Sequence, residues 1–185
     1  MNQKIRFIRE ILQLSKKEIS SLLNISSYKY SSFENNETTI PCEILLLLSK
    51  IYCFDIDLLL DTIYDETIII CELNKHELIN INNKSELLDR LKSNLFSNPQ
   101  IKMTYHSIKK VKLTFQKNII NNIKILMNKY GLRQEELADY CDIDRYSLSF
   151  ILSEKKFINT IELIKISTCF NTSIDSIVNG FINTK

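Results

Sequence analysis

The chain has 185 residues but only two glycines and two prolines, too few turn residues for an all-β protein, so one or two mainly helical domains are expected. Its 24 basic side chains against 22 acidic ones leave a net charge of +2, which makes no case by itself for a polyanionic partner. There is no apolar run long enough for a membrane span, and the opening MNQKIRFIRE lacks the apolar core of a signal peptide, so a cytoplasmic protein without a membrane partner is expected.

Residues 3 to 13 predict a first helix, with Ile5, Ile8, Ile11 and Leu12 on one face. Ser15 followed by Glu18 is a capping box: the hydroxyl accepts an early backbone N–H and the carboxylate reaches back to the cap. Ile19, Leu22 and Leu23 then point inward. Asn24 suits the left-handed residue of a tight turn, Ile25 tucks beneath it, and Ser26 caps a second short helix. On that helix Tyr30 and Phe33 are expected in the core, with Ser27, Tyr28, Lys29 and Ser32 facing out. Two short helices joined by a tight turn make a helix-turn-helix. A loop, NNETTI, leads to Pro41 at the start of a helix over Cys42 to Tyr52 that is apolar on most sides, as if it met another domain or chain. A last helix near Asp57 to Ile63 closes the unit.

Residues 64 to 114 read as a connector, a small α+β element or, alternatively, helices throughout. The β-branched run Thr67 to Leu73 and the segment His76 to Ile81 form a candidate hairpin, turned at Asn74-Lys75. Ser85 to Phe96 is an amphipathic helix with Leu87, Leu88, Leu91 and Leu95 on one face, ended by Asn98-Pro99. Lys110 to Phe115 alternates as a half-buried strand does. A folded connector of this kind would fix the geometry between its neighbours or dimerise the chain.

From Gln116 onward the chain repeats itself. LSKKEISSLLNISSYKYSSFE, Leu14 to Glu34, returns as LRQEELADYCDIDRYSLSFIL, Leu132 to Leu152, and the match holds at one offset of 118 residues through Ile56-Asp57 and Ile174-Asp175. Ile119, Ile120, Ile123, Leu126 and Met127 build the first helix of this copy, and Gly131 ends it. Asp142 takes the turn, Asp144 the cap, and Leu148 and Ile151 the core. Ser20 and Ala138, both small, sit where the two short helices cross. Thr160 to Phe170 and Ile174 to Val178 complete the copy, Asn179-Gly180 stops it, and FINTK is a tail. The expected architecture is two five-helix units, residues 1–63 and 115–185, on either side of the connector.

The two copies resemble the phage-repressor (Cro/XRE) class of helix-turn-helix domains over Ile5 to Leu60 and Ile123 to Gly180. In that family an arginine on the first helix pairs with a glutamate ending the recognition helix. Arg9 and Glu34 hold those positions here, and Met127 and Leu152 hold them in the second copy, so the pair has turned apolar on both sides together. Changing one side alone would strand a buried charge at about 3–5 kcal/mol.

The resemblance implies a recognition helix in the major groove with its exposed N-terminal residues reading base edges. Those residues are Ser27, Tyr28, Lys29 and Ser32 in the first copy, and Arg145, Tyr146, Ser147 and Phe150 in the second. Arg145 could donate two hydrogen bonds to guanine; Tyr146 and Phe150 could meet thymine methyls or sugars. The tyrosines could equally lie against their own helix. Gln134 is the family's usual phosphate-holding residue at the start of the second helix. Lys16 replaces it in the first copy. Lys155 and Lys156 fit the backbone-contacting loop after the recognition helix, where Glu37 of the first copy would repel phosphate. If one copy alone binds DNA, the second is expected to be that copy.

Charge is unevenly placed along the chain. Acids dominate from Asp55 to Asp89, whereas from Ser97 to Gln134 there are none and Lys102, Lys109, Lys110, Lys112, Lys117, Lys124, Lys129 and Arg133 are all cations. Such a run is commonly a solvated face, though beside a helix-turn-helix it favours phosphate contact. The five cysteines are scattered without paired spacing and read mostly as small core residues; with two histidines, no metal site is expected. No nucleophile–base set and no glycine-rich phosphate loop is present, so neither an enzyme nor a cofactor is expected. The leading reading is a sequence-specific double-stranded DNA-binding regulator, a repressor, able to dimerise. The competing one is a degenerate helix-turn-helix that binds a protein, as an antitoxin or a phage-borne inhibitor of a host protein does.

Overall fold

The computed structural model describes residues 2–60, 65–96 and 104–180. Among these the chain forms twelve helices and no strand. It divides into two compact units, Met1–Ile40 with Ile44–Val111, and Pro41–Glu43 with Lys112–Lys185.

The first unit opens with α1 (Asn2–Ile11), α2 (Lys16–Leu23), α3 (Ser27–Glu34), α4 (Cys42–Tyr52) and α5 (Ile56–Leu60). Ile5 and Ile8 of α1, Ile19 and Leu23 of α2, and Tyr30 and Phe33 of α3 are buried together with most of α4. The local signals form as the residues dictate. Ser15 and Glu18 make the reciprocal capping box, Asn24 takes φ 52° and ends α2, and the Ser26 hydroxyl accepts the Lys29 N–H. Lys4 is buried, and its ammonium donates to the Leu58 carbonyl at 2.7 Å. It thereby ties α1 to the C-terminal end of α5, where unsatisfied carbonyls favour a cation.

Two more helices, α6 (Glu66–Lys75) and α7 (Lys84–Phe96), belong to the same unit. They correct the α+β reading of the connector in favour of its helical alternative. Thr67 to Leu73 is helical because the Asp65 carboxylate accepts the Thr67 and Ile68 N–H groups and starts a helix. Ile69 and Leu73, one turn apart, then bury. With the first strand gone there is no hairpin. His76 to Ile81 is an irregular turn, with Glu77 at φ 57° and Leu78 buried as its anchor. On α7, Leu87, Leu91 and Leu95 are buried as expected, while Leu88 is half-buried. Lys84 bridges to Glu18 of α2 at 3.0 Å, and the Asn94 amide donates to the Ile51 carbonyl at 2.9 Å, so α7 is tied to α2 and to the C-terminal end of α4. Asn98-Pro99, Ile63 and the FINTK tail lie outside the described residues.

The third predicted strand, Lys110 to Phe115, lies inside α8 (Tyr105–Tyr130), a helix of 26 residues. Its alternation was an accident of a short window. Over the whole helix Ile108, Phe115, Ile119, Ile120, Ile123 and Leu126 are buried, a helical period.

In the second unit α8 leads to α9 (Gln134–Tyr140), α10 (Arg145–Leu152), α11 (Thr160–Cys169) and α12 (Ile174–Asn179). The repeat is now visible in the backbone. Left-handed residues occur at Gln13 and Gly131, Asn24 and Asp142, Asn36 and Glu154, and Cys53 and Asn171, every pair 118 apart. The bonds that close the turns repeat as well: the Ile25 N–H to the Ser20 carbonyl and the Ile143 N–H to the Ala138 carbonyl are both 2.9 Å. Asn122 stands where Lys4 stands in the first unit and does the same work with an amide, donating to the Ile177 carbonyl at 2.9 Å. Among the described residues no helix is long and apolar enough to cross a membrane.

Candidate nucleic-acid interface

Each copy holds its recognition helix with a buried carboxylate, but the two carboxylates come from different directions. In the first unit Glu34, at the end of α3, is clamped by Arg9 of α1, whose Nε and Nη2 donate to its two oxygens at 2.7 and 3.1 Å. The same guanidinium donates to the Leu14 carbonyl at 3.0 Å, and its pKa is raised, chiefly by the hydrogen bond to Glu34. In the second unit the corresponding Leu152 is buried and Met127 half-buried, with no charge on either.

The carboxylate of the second unit is instead Glu162 in the first turn of α11. One of its oxygens accepts the Ser147 hydroxyl of α10 at 2.8 Å and the Lys156 ammonium at 2.6 Å; the other accepts the Asn159 N–H at 2.9 Å. Desolvation pushes the pKa of Glu162 up, yet the Asn159 N–H, Lys156 and Ser147 together bring it below the usual carboxylate value. Sequence reasoning missed Glu162, although Asn159-x-x-Glu162 has the spacing of a capping box and forms one. It also missed Gln116, a buried amide on α8 that donates to the Lys156 carbonyl at 2.7 Å and accepts the Ile158 N–H at 3.3 Å, fastening the loop after α10.

The outward face of each recognition helix begins with the same aromatic. Tyr28 is 81% exposed and Tyr146 is 78% exposed, so neither lies against its own helix. Beside Tyr28, Ser27 and Lys29 are exposed, the Ser27 hydroxyl 2.9 Å from that of Ser20. Ser32 does not join them. It is buried, its hydroxyl bonded to the Lys29 carbonyl and 2.9 Å from the Thr38 hydroxyl, which corrects the outward placement expected for it. The returning loop covers this side of α3. Lys16 is turned toward the helix, donating to the Ser31 hydroxyl at 2.8 Å and lying 3.6 Å from Glu34.

In the second copy Arg145 is exposed and bonded to the Asp139 carboxylate at 2.6 and 3.1 Å. Phe150 is half exposed, with the Lys155 ammonium 5.8 Å from its ring centre. Gln134 is half-buried in the first turn of α9. Ser147 and Lys156 are held by Glu162 as described. The structure thus brings Arg145, Tyr146, Phe150 and Lys155 to the accessible surface, and turns Lys156 inward. Among the cysteines, Cys42 and Cys141 are buried, Cys53 and Cys169 half-buried, and Cys71 exposed, so the core reading does not extend to Cys71.

Comparison with known families agrees with this geometry. Residues 2–64 match the model of a family described as a helix-turn-helix domain, and residues 123–177 match a second, described as helix-turn-helix. No curated protein and no solved structure matches the chain. The two matches support a DNA-binding regulator in general. The chain belongs to the helix-turn-helix proteins of the Cro/XRE type and carries that domain in tandem.

Proposed function

We propose that the chain is a cytoplasmic, sequence-specific double-stranded DNA-binding repressor that lays α10, and with it α3, into the major groove. The observation that carries this reading is the division of α10. Leu148, Ile151 and Leu152 are buried, while Arg145 and Tyr146 at its N-terminal end stand out in solvent, where a recognition helix meets base edges. Arg145 gives up Asp139 for a guanine, and Tyr146 and Phe150 meet thymine methyls or sugars. Ser147 and Gln134 approach the sugar-phosphate backbone with Lys155, and Lys156 joins them once released from Glu162. In the first copy Ser27, Tyr28 and Lys29 face the groove, with Lys16 on a phosphate once released from Ser31; Ser32 supports the helix from behind.

Two modules in one chain suit two half-sites about one helical turn, roughly 34 Å, apart. A homodimer through the 64–114 segment would present four. Electrophoretic mobility shift with a duplex selected from a random pool tests the reading: retention by the wild type, and loss of preference at one base in Arg145→Ala, support it.

A second reading has its own support. Between Arg133 and Glu162 the acids Glu135, Glu136, Asp139, Asp142, Asp144, Glu154 and Glu162 outnumber Arg133, Arg145, Lys155 and Lys156. That balance repels phosphate and favours a protein partner for α10, as in an antitoxin or an inhibitor of a host protein. A salt-insensitive complex with a protein, and none with DNA, would select it.

A further inference from the structure

The longest helix carries charge that the recognition helices do not use. From Tyr105 to Tyr130, α8 contains no acidic residue. In its second-unit part Lys117 and Lys124 are exposed and seven residues apart, with exposed Asn121 between them. A seven-residue step returns to the same face of a helix, about 10 Å along its axis. This face adjoins the loop that follows α10. Gln116, the residue before Lys117, holds that loop by the two hydrogen bonds to Lys156 and Ile158. Lys117, Asn121 and Lys124 line an open groove whose other side is Glu154 of the same loop, and Lys155 comes next.

Of the two lysines, Lys124 alone has a counterpart in the first unit. The first unit has Gln3, Arg6 and Glu10 where the second has Asn121, Lys124 and Asn128, and there Arg6 is paired with Glu10 at 2.9 Å. The cation at that place is therefore neutralised by an acid one turn on in the first unit, whereas Asn128 offers Lys124 no such acid in the second.

We propose that Lys117 and Lys124 bind the phosphate backbone of duplex DNA flanking the bases read by α10, so that α8 and Lys155 form one basic edge beside the recognition helix. This rests on the reading that α10 enters the major groove. A DNA strand offers a negative charge about every 3.4 Å of helix axis, so two cations about 10 Å apart both find phosphates whatever the sequence. Glu154 opposes the contact and tunes it downward.

The test uses the full chain on two duplexes carrying the selected motif, one with long flanks and one trimmed to the motif, titrated with salt. For Lys117→Gln with Lys124→Gln, affinity for the long duplex is expected to fall at least tenfold at low salt. The log–log salt slope should become shallower by about two, at roughly 0.9 per phosphate, with base preference unchanged. Trimming should bring the wild type down to the double variant, and Glu154→Gln should bind more tightly. Equal slopes for wild type and double variant on the long duplex, with matching thermal unfolding, would overturn this surface and leave the groove reading standing. Absence of any salt-dependent DNA binding by the wild type would overturn both.

Discussion

Arg9 and Glu34 form a two-pronged ion pair with the Glu34 side chain 1% exposed, whereas Met127 and Leu152 occupy the same two places without charge. Two solutions to one packing problem in one chain permit a direct exchange. Arg9→Met alone strands the Glu34 carboxylate. The first unit should lose about 3 kcal/mol, the low end for a stranded buried charge, because Lys16 remains at 3.6 Å. Arg9→Met with Glu34→Leu should recover most of that loss. Urea unfolding of the single and double variants measures the coupling, and equal losses in both would mean that the pair is not a unit. A second residue-scale prediction concerns Arg145, held by Asp139 in the free protein. Asp139→Asn should free the guanidinium and tighten DNA binding several-fold, while Arg145→Ala should cost about 1–3 kcal/mol of discrimination at one base pair. Competition binding against single-base variants of the site reads both.

The pair at Arg9 and Glu34 was legible because a repeat compares one position with another inside the same sequence. Caps were legible too, since Ser15, Ser26 and Asp144 act on N–H groups within three residues. Ser32 was not. Whether a residue beside the core stripe is buried depends on the path of the following loop, here through Thr38, and no local pattern specifies that. Gln116 escaped for the same reason, as its partners Lys156 and Ile158 lie in a loop some 40 residues on; of Glu162 only the local cap with Asn159 was open to a sequence reading, while its contacts to Ser147 and Lys156 depend on the fold.

At the scale of elements, α10 is held at one end by a charge cluster rather than by packing alone. Glu162 has a folded-state pKa below the ordinary value, so its contribution to stability is fully present above the unfolded pKa of about 4.3 and fades as pH falls through the lower folded value. Glu162→Gln should therefore destabilise the second unit at neutral pH, and its deficit against wild type should shrink steadily below about pH 4. Thermal unfolding followed across pH checks this; a deficit that stays constant on acidification would remove the charge from the account. The elements most easily misread were α6 and the start of α8. Thr67 to Ile70 is β-branched, and Lys110 to Phe115 alternates, yet both windows are shorter than the helices that contain them. The Asp65 cap and the burial of Ile69 and Leu73 decide α6, while the long apolar period decides α8.

For the whole molecule, the tandem arrangement means that affinity depends on whether both modules engage one duplex. Joined modules gain avidity only when their geometry allows simultaneous contact. The first copy presents Tyr28 and Lys29 with few other exposed cations, and the second presents Arg145, Tyr146 and Lys155 beside the basic face of α8, so the second should dominate. The measurement that bears most directly on this is selection of purified full-length protein against a pool of random duplex DNA at two salt concentrations, followed by sequencing. The account predicts an enriched motif whose binding weakens steeply as salt rises, with one base preference abolished in Arg145→Ala and the motif retained in Lys16→Ala. A pool that emerges unenriched at both concentrations would contradict it and leave α3 and α10 as surfaces for a protein partner.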